Sequence, residues 1–294
     1  MTSSDEKIWR VIDVLNWSKN YLTEKGIESP QVEAEWILRD VLNCSRIDIY
    51  LYYERPLEPA ELARCRSCLR QRAVGRPIQY ILGYTEFMGL RFEVTPEVLI
   101  PRQDTESVVE RIIEMMQKMN PNDFQILDIG TGSGNIIVSL LHQFPNARGV
   151  GVDISAEALK VARRNAVYHN VDRRIEFLRL DILKELPAAT RKFDCIVSNP
   201  PYIAGQWLED LSPLVKENEP FAALSPGGDG LIFYRRFAEA GPGLLAKDGI
   251  LVLEIGGTYQ EEPVTSILTA AGFGDFEVIH DYLPQSRGIV ARLV

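Results

Sequence analysis

The run Phe193-Asp194-Cys195-Ile196-Val197-Ser198 stops at Asn199-Pro200-Pro201-Tyr202. Two consecutive prolines end a strand, because proline has no amide hydrogen for a ladder and restricts the residue before it. The result is a stiff tip with two oxygen acceptors, the Asn199 side-chain carbonyl and the Pro200 backbone carbonyl, beside the ring of Tyr202. A planar NH2 group has two hydrogens to donate, so this tip can hold one by both while Tyr202 stacks on its plane. The nitrogen is then aimed. Acceptors on both hydrogens also favour the positive charge that grows on an amide-type nitrogen as it attacks an electrophile. The plainer alternative is a rigid loop with Tyr202 as a surface aromatic.

An electrophile must be held nearby, and an earlier stretch suits one. Asp128-Ile129 leads into Gly130-Thr131-Gly132-Ser133-Gly134. Missing side chains let this backbone turn tightly and approach a ligand. The spacing is G-x-G-x-G. The dinucleotide fingerprint G-x-G-x-x-G would need glycine at Asn135, and no Gly-Lys-Ser/Thr follows to make a P-loop. A loop of this kind suits S-adenosyl-L-methionine, which has no phosphate and needs only clearance for its methionyl chain and ribose. Asp153 lies about twenty residues further on, where a carboxylate can accept the ribose hydroxyl protons. Asp181 follows the next candidate strand, as a candidate acceptor for the adenine amino group. Either aspartate could instead cap a helix. Together the residues read as methyl transfer to a flat nitrogen, leaving S-adenosyl-L-homocysteine. The sulfonium is already an activated leaving group, so the reading requires no metal.

These residues need a sheet to place them. From Asp123 onward the pattern alternates between strands, at 125–129, 149–153, 175–180, 195–198 and 250–254, and helices near 135–143, 156–168, 230–245 and 259–271. A last pair of strands follows at 276–280 and 289–293. This order predicts a doubly wound, mostly parallel seven-stranded α/β sheet, with ligands outside the carboxyl ends of its strands. Before it, Ile8, Val11, Ile12, Leu15 and Leu22 make a helical stripe closed by Gly26. Ser29-Pro30 opens a second helix, a short one covers 47–53, and another begins near Pro59 and ends before Gly75. We read residues 1–78 as a small helical bundle, 79–100 as a linker with a β-hairpin, and 101–294 as the catalytic domain, whose first helix covers 105–118.

Composition sets the bounds. Hydrophobic residues are 46% and charged residues 25% of 294, ordinary values for a packed globular chain. A net charge of −9 argues against broad electrostatic binding to nucleic acid. No apolar run is long enough to cross a bilayer, and Met1 to Arg10 contain Asp5 and Glu6 and lack the apolar core of a secretory signal. The expectation is a cytoplasmic protein that engages neither membrane nor, directly, nucleic acid. Cys65 and Cys68 form one C-x-x-C, but Leu62, Cys65 and Leu69 recur at helical spacing. With no second pair and His142, His169 and His280 scattered, the cysteines read as core residues.

With these residues in view, the chain resembles the PrmC/HemK family of protein-(glutamine-N5) methyltransferases. The likeness runs through Gly75-Arg76-Pro77-Ile78-Gln79-Tyr80-Ile81-Leu82-Gly83, Glu86-Phe87, Leu99-Ile100-Pro101-Arg102 and Asp104-Thr105-Glu106. It continues in the glycine loop, Asn199-Pro200-Pro201-Tyr202, Glu219-Pro220 and Glu254-Ile255-Gly256. Gln103 stands where the family often has proline. The resemblance implies a class I, Rossmann-like methyltransferase fold. It implies that Gly130 to Gly134, Asp153 and Asn199 contact the cofactor and that Asn199 to Tyr202 bind a glutamine. That glutamine is the one in the Gly-Gly-Gln loop of class 1 peptide-chain release factors, which the helical domain helps to grip. Arg102 and Asp104 read as a local ion pair with a helix cap, and neither is read as catalytic. The Asn-Pro-Pro-Tyr motif is also found in ribosomal-protein glutamine methyltransferases and N6-adenine nucleic-acid methyltransferases, so these stay as alternatives. A non-enzymatic binding module would leave Asn199 to Tyr202 idle.

Overall fold

A computed structural model describes residues 8–119, 123–187 and 191–294. The first seven residues, which bear on the absence of a secretory signal, lie outside the described residues. The chain divides into two compact units between Gly83 and Tyr84. Among the described residues, no helix is long and apolar enough to cross a membrane.

The first unit contains α1 (Val11–Glu24), α2 (Pro30–Leu42), α3 (Arg46–Leu51), α4 (Pro59–Ala73) and α5 (Ile78–Leu82). Leu15 and Leu22 of α1, Ile37 and Leu38 of α2 and Leu69 of α4 share one buried core. Polar groups fix the ends and one crossing. At the start of α3, the Ser45 amide donates to Asp48 at 2.9 Å while the Asp48 amide donates to the Ser45 hydroxyl at 3.3 Å, a reciprocal cap. Arg72 of α4 meets Glu33 of α2 at 2.6 Å, both largely buried. Cys65 and Cys68 sit in this core, and burial pushes the Cys65 thiol up to about 12. A thiol so protonated is a packing group. The one-turn α5 was not foreseen, because five residues are too few to show a period.

The second unit opens with a hairpin, β1 (Tyr84–Phe87) and β2 (Leu90–Glu93), followed by α6 (Gln103–Met119). Then come β3 (Gln125–Ile129), α7 (Asn135–Gln143), β4 (Arg148–Asp153), α8 (Ala156–Tyr168), β5 (Ile175–Arg179) and β6 (Phe193–Ser198). Two single-turn helices, α9 (Pro213–Lys216) and α10 (Phe221–Leu224), precede α11 (Ile232–Leu244), β7 (Leu245–Glu254), α12 (Glu261–Thr269), β8 (Phe273–His280) and β9 (Ser286–Leu293). The seven-stranded sheet has the order β5-β4-β3-β6-β7-β9-β8. Strands β5 to β7 are parallel, and β9 runs antiparallel to both β7 and β8.

Alternation along the central strands builds a core on each face. Ile126, Cys195, Val197, Ile250 and Val252 pack on one side with α6 and α7. Leu127, Ile196, Leu251 and Leu253 pack on the other with α11 and α12. Period-two side chains, apolar at both phases, are what a sheet covered on both faces requires. Strand β7 begins five residues before its expected start. Lys247-Asp248-Gly249, which lie between the expected helix and strand, are absorbed into the strand as an irregularity with Asp248 at φ +64° and a register shift opposite Phe193 and Cys195.

The hairpin belongs to the larger unit and is no free linker. The Asn165 side chain of α8, 1% exposed, accepts from the Glu93 amide at 2.7 Å. It also donates to the Glu93 carbonyl at 3.0 Å and to the Ser133 carbonyl at 2.8 Å. Arg164 pairs with the Glu93 carboxylate at 2.7 Å. One buried amide thus ties the hairpin to the glycine loop. Asn165→Ala should lower unfolding free energy by about 2–4 kcal/mol, since three buried bonds lose their partner. Urea unfolding measures this, and a loss under about 0.5 kcal/mol would show that the amide holds nothing.

Candidate active site

The chain runs β3, β4, β5 outward on one side and then returns to lay β6 on the other side of β3. At such a reversal the connections leave in opposite directions and a crevice opens beyond the carboxyl ends. A cavity of about 350 Å³ lies there, within the roughly 300–1,000 Å³ usual for small-ligand sites. Gly130, Thr131, Gly132, Ser133, Asp153, Asp181, Asn199, Pro200 and Pro201 all line it. Gly134 and Tyr202 do not.

The loop after β3 is held from below. The amides of Gly130 and Thr131 both donate to the Val152 carbonyl, at 2.8 and 3.0 Å. The Gly132 amide donates to Asp153 at 2.9 Å and the Thr131 hydroxyl to Asp128 at 2.7 Å. Gly130 and Gly132 have φ of +76° and +55°, a region that penalises any side chain. Gly134 serves a different purpose. At the start of α7 with φ +79°, it would bring a Cβ to 3.2 Å from the Ala162 Cβ of α8. The sequence placed it against the cofactor, but the structure uses it for helix packing.

Asp153 spends one oxygen on the Gly132 amide and the other on the Ser155 amide at 2.9 Å. Burial raises its pKa and those amides pull it back. Each oxygen keeps a lone pair for a hydroxyl donor. The cap of α8 falls to Ser155, whose hydroxyl accepts from the Ala158 amide. Asp181 lines the cavity and also organises its own turn. It pairs with Lys184 at 2.7 Å and accepts from the Leu183 amide, and the lysine lowers its pKa.

Asn199 is oriented by a residue that the sequence reading left without a role. Its Nδ2 donates to the hydroxyl of Thr105 on α6, 3.3 Å away. Among the described residues nothing donates to its Oδ1. The Asn199 carbonyl is 3.9 Å from where a Gly130 Cβ would stand, so the two loops run close together. Tyr202 is no surface aromatic. It packs against the α11–α12 core, a Cβ added at Gly256 would come to 3.0 Å from its ring, and its carbonyl accepts from Gln260 at 3.1 Å. Burial pushes its hydroxyl well above the ordinary value.

The expected ion pair between Arg102 and Asp104 is not formed. Arg102 precedes α6 and reaches Glu219 at 2.5 Å, while Asp104, in its first turn, meets Arg287 at 3.1 Å. Glu219 is buried, its Oε2 has no partner among the described residues, and desolvation raises its pKa despite Arg102. Sequence reading also passed over Asp128. This residue is fully buried with Oδ1 unpartnered among the described residues, and desolvation pushes it up to about 7, with Thr131 opposing and Asp153 assisting. Its only sequence signal was its place before the glycine loop.

Asp128 has a consequence for stability. Its folded value of about 7 exceeds the ordinary 3.8, so the native chain binds this proton more tightly than the unfolded one. The stability it contributes relative to Asp128→Asn is fully present below pH 3.8 and is lost as pH rises through about 7. Urea unfolding of both proteins across that window should show the wild type losing ground by a few kcal/mol. A constant difference would contradict the buried ionisation.

Comparison with known proteins agrees with this geometry. Residues 13–83 match the family model described as PrmC N-terminal domain, and residues 107–252 match that of the Methyltransferase small domain. The hMettl16 catalytic domain aligns with 82% of this chain and 83% of its own at a TM-score of 0.57 and 17% identity, a likeness of fold. A release factor glutamine methyltransferase of Geobacter sulfurreducens is 44% identical over 94% of this chain and 93% of its own length. One from Chlorobaculum tepidum is 40% identical over 97% and 98%. Identity of this depth, sustained from the helical unit to the last strand of the sheet, means that the chain belongs to the release factor glutamine methyltransferase family.

Proposed function

We propose that this protein transfers a methyl group from S-adenosyl-L-methionine to the N5 amide nitrogen of the glutamine in the Gly-Gly-Gln motif of class 1 peptide-chain release factors, modifying the loop that works in translation termination. The observation that carries the proposal is the Asn199 amide. It is held by its nitrogen on Thr105, so its oxygen remains a free acceptor at the end of β6, beside the glycine loop.

The cavity fits the cofactor. Gly130, Thr131, Gly132 and Ser133 present side-chain-poor backbone, Asp153 keeps lone pairs for ribose hydroxyls, and Asp181 stands at the same wall for the adenine end. S-adenosyl-L-methionine supplies a methyl group on an activated sulfonium and leaves as S-adenosyl-L-homocysteine. The chain's own part is positioning and electrostatics. Asn199 Oδ1 and the Pro200 carbonyl accept the two amide hydrogens, which fixes the nitrogen's direction and stabilises the charge it acquires. Pro200 and Pro201 keep those acceptors from rotating away. Tyr202 supports the tip from the core side. The helical unit contributes to the grip on the release factor. We place the protein in the cytoplasm.

A release factor incubated with the enzyme and labelled cofactor should gain one methyl group on the Gly-Gly-Gln glutamine, located by mass spectrometry. Equal labelling after that glutamine is replaced, or comparable labelling of an adenine oligonucleotide, would overturn the assignment. Asn199→Ala should cut kcat by about 10²–10³-fold, the scale for one preorganised hydrogen-bonding group, with little change in cofactor affinity. Asp153→Ala should do the reverse, raising the cofactor Kd while sparing the chemistry of the fraction that binds.

A further inference from the structure

We infer that Gln260 is a positioning residue for methyl transfer, the far pin that holds the Asn199-Pro200-Pro201-Tyr202 tip at the angle its acceptors need; the inference rests on the methyl-transfer reading above. Gln260 immediately precedes α12 and is 3% exposed. Its Nε2 donates to the Tyr202 carbonyl at 3.1 Å, and its Oε1 accepts from the Gly256 amide at 2.7 Å. A backbone amide can only donate and a backbone carbonyl can only accept, so the direction of this side chain is fixed. The Tyr234 hydroxyl of α11 donates to the Glu254 carbonyl at 2.8 Å and stands 3.4 Å from the same Oε1. One buried amide thus joins the motif to the segment that follows β7.

The tip behaves as a short rod. Asn199 and Pro200 each precede a proline, which confines their ψ to the extended range, and the rings of Pro200 and Pro201 fix φ. Such a segment hardly bends, but it can swing as a body about its ends. The near end is set by β6, where Ser198 lies between Ile129 and Leu253 in register and the Asn199 amide reaches Thr105 at 3.3 Å. Torsional freedom returns at ψ of Pro201 and in Tyr202, and the carbonyl that Gln260 holds lies just past them. Held only at β6, the rod would swing and carry the Pro200 carbonyl with it. Held at Tyr202 as well, it keeps one direction.

The pin is itself fastened to the sheet. Gly256 follows Ile255, whose amide donates to the Arg287 carbonyl of β9 at 2.9 Å. Glycines let the chain close around Tyr202. A Cβ at Gly230 would collide with the Tyr202 carbonyl oxygen, and one at Gly256 would meet the Tyr259 hydroxyl and come to 3.0 Å from the Tyr202 ring. Beyond the tip, the Ile203 amide donates to the Leu224 carbonyl at 3.2 Å and so reports any loosening of Tyr202. The titratable groups gathered here are Glu254, Tyr202, Tyr234 and Tyr259, with Arg102 and Arg287 acting on Tyr202. The neighbouring Glu261 is engaged by the Ser286 hydroxyl.

The test uses the full chain with S-adenosyl-L-methionine and a release factor, assayed well below each variant's melting temperature. Gln260→Glu keeps size and the acceptor for Gly256 but, when ionised, has no hydrogen for Tyr202. At about pH 8.5 it should lose about tenfold or more in kcat, since a misplacement of about 1 Å can cost about 100-fold, with cofactor Kd little changed. Burial raises the new carboxyl from about 4 toward neutrality, and once protonated it can donate to Tyr202 as the amide does. The ratio of variant to wild-type kcat should therefore recover as pH falls from about 8.5 to about 5.5, a recovery that a packing defect would not give. Gln260→Met carries neither group and no buried charge, and should be low at every pH. Without substrate, the Ile203 amide should exchange hydrogen faster in both variants than in wild type at neutral pH. Full kcat in either variant at about pH 8.5, a ratio for Gln260→Glu that stays flat with pH, or unchanged Ile203 exchange would each overturn the pin. Faster Ile203 exchange alongside a wild type that methylates no release factor would instead overturn the functional reading and leave the pin standing.

Discussion

The parallel pairing of β3 with β6 is the contact on which the site depends. Ile129 lies beside Ser198 in register, and the Ser198 hydroxyl donates to the Ile129 carbonyl at 2.7 Å as the two strands end. One residue later each chain leaves the sheet, one as the glycine loop and the other as the Asn199-Pro200 tip. Had β6 paired on the outer edge beyond β5, the same motifs would stand several strand widths apart, at about 5 Å per strand, too far to share a ligand and a nucleophile. The reversal of strand order does what no local motif can, because it makes two loops distant in sequence into neighbours.

Around that contact the structure uses buried polar groups as fixtures. Asp128 holds Thr131, Asn165 holds the Ser133 carbonyl, Thr105 holds Asn199, and Glu219 holds Arg102. Three buried carboxylates, Asp128, Glu219 and Glu254, keep one oxygen without a partner among the described residues and have raised pKa values from desolvation. Such groups cost stability in the charged state and are tolerated where direction matters more than strength. Apolar packing alone would bury the same surface without deciding which way an amide points.

Much of this could be read from residues alone. The alternation of strands and helices from Asp123 onward identified the sheet, and the spacing of Gly130, Asp153 and Asn199 identified the crevice. What escaped had a physical reason. The helices at 213–216 and 221–224 are single turns without a period. Lys247 to Gly249 fell outside the expected strand because a strand that tolerates an irregularity is locally indistinguishable from one that ends. Arg102 found Glu219, 117 positions away, and not its neighbour Asp104, because partners across a fold are invisible to spacing. Thr105 and Asn165 sat on helix faces, where a polar residue reads as solvent-facing until the opposing element is known. Gly134 followed the glycine rhythm of its loop yet answers to Ala162.

The Asn165 amide touches β2 through Glu93 and the glycine loop through Ser133 with one planar group. Two segments separated by dozens of residues therefore share a single latch. In local unfolding such segments open as one cooperative unit. The inner carbonyl of Ser133 meets solvent when the hairpin lifts, so the order of the methyl-donor loop is set in part by a ribbon that never enters the crevice.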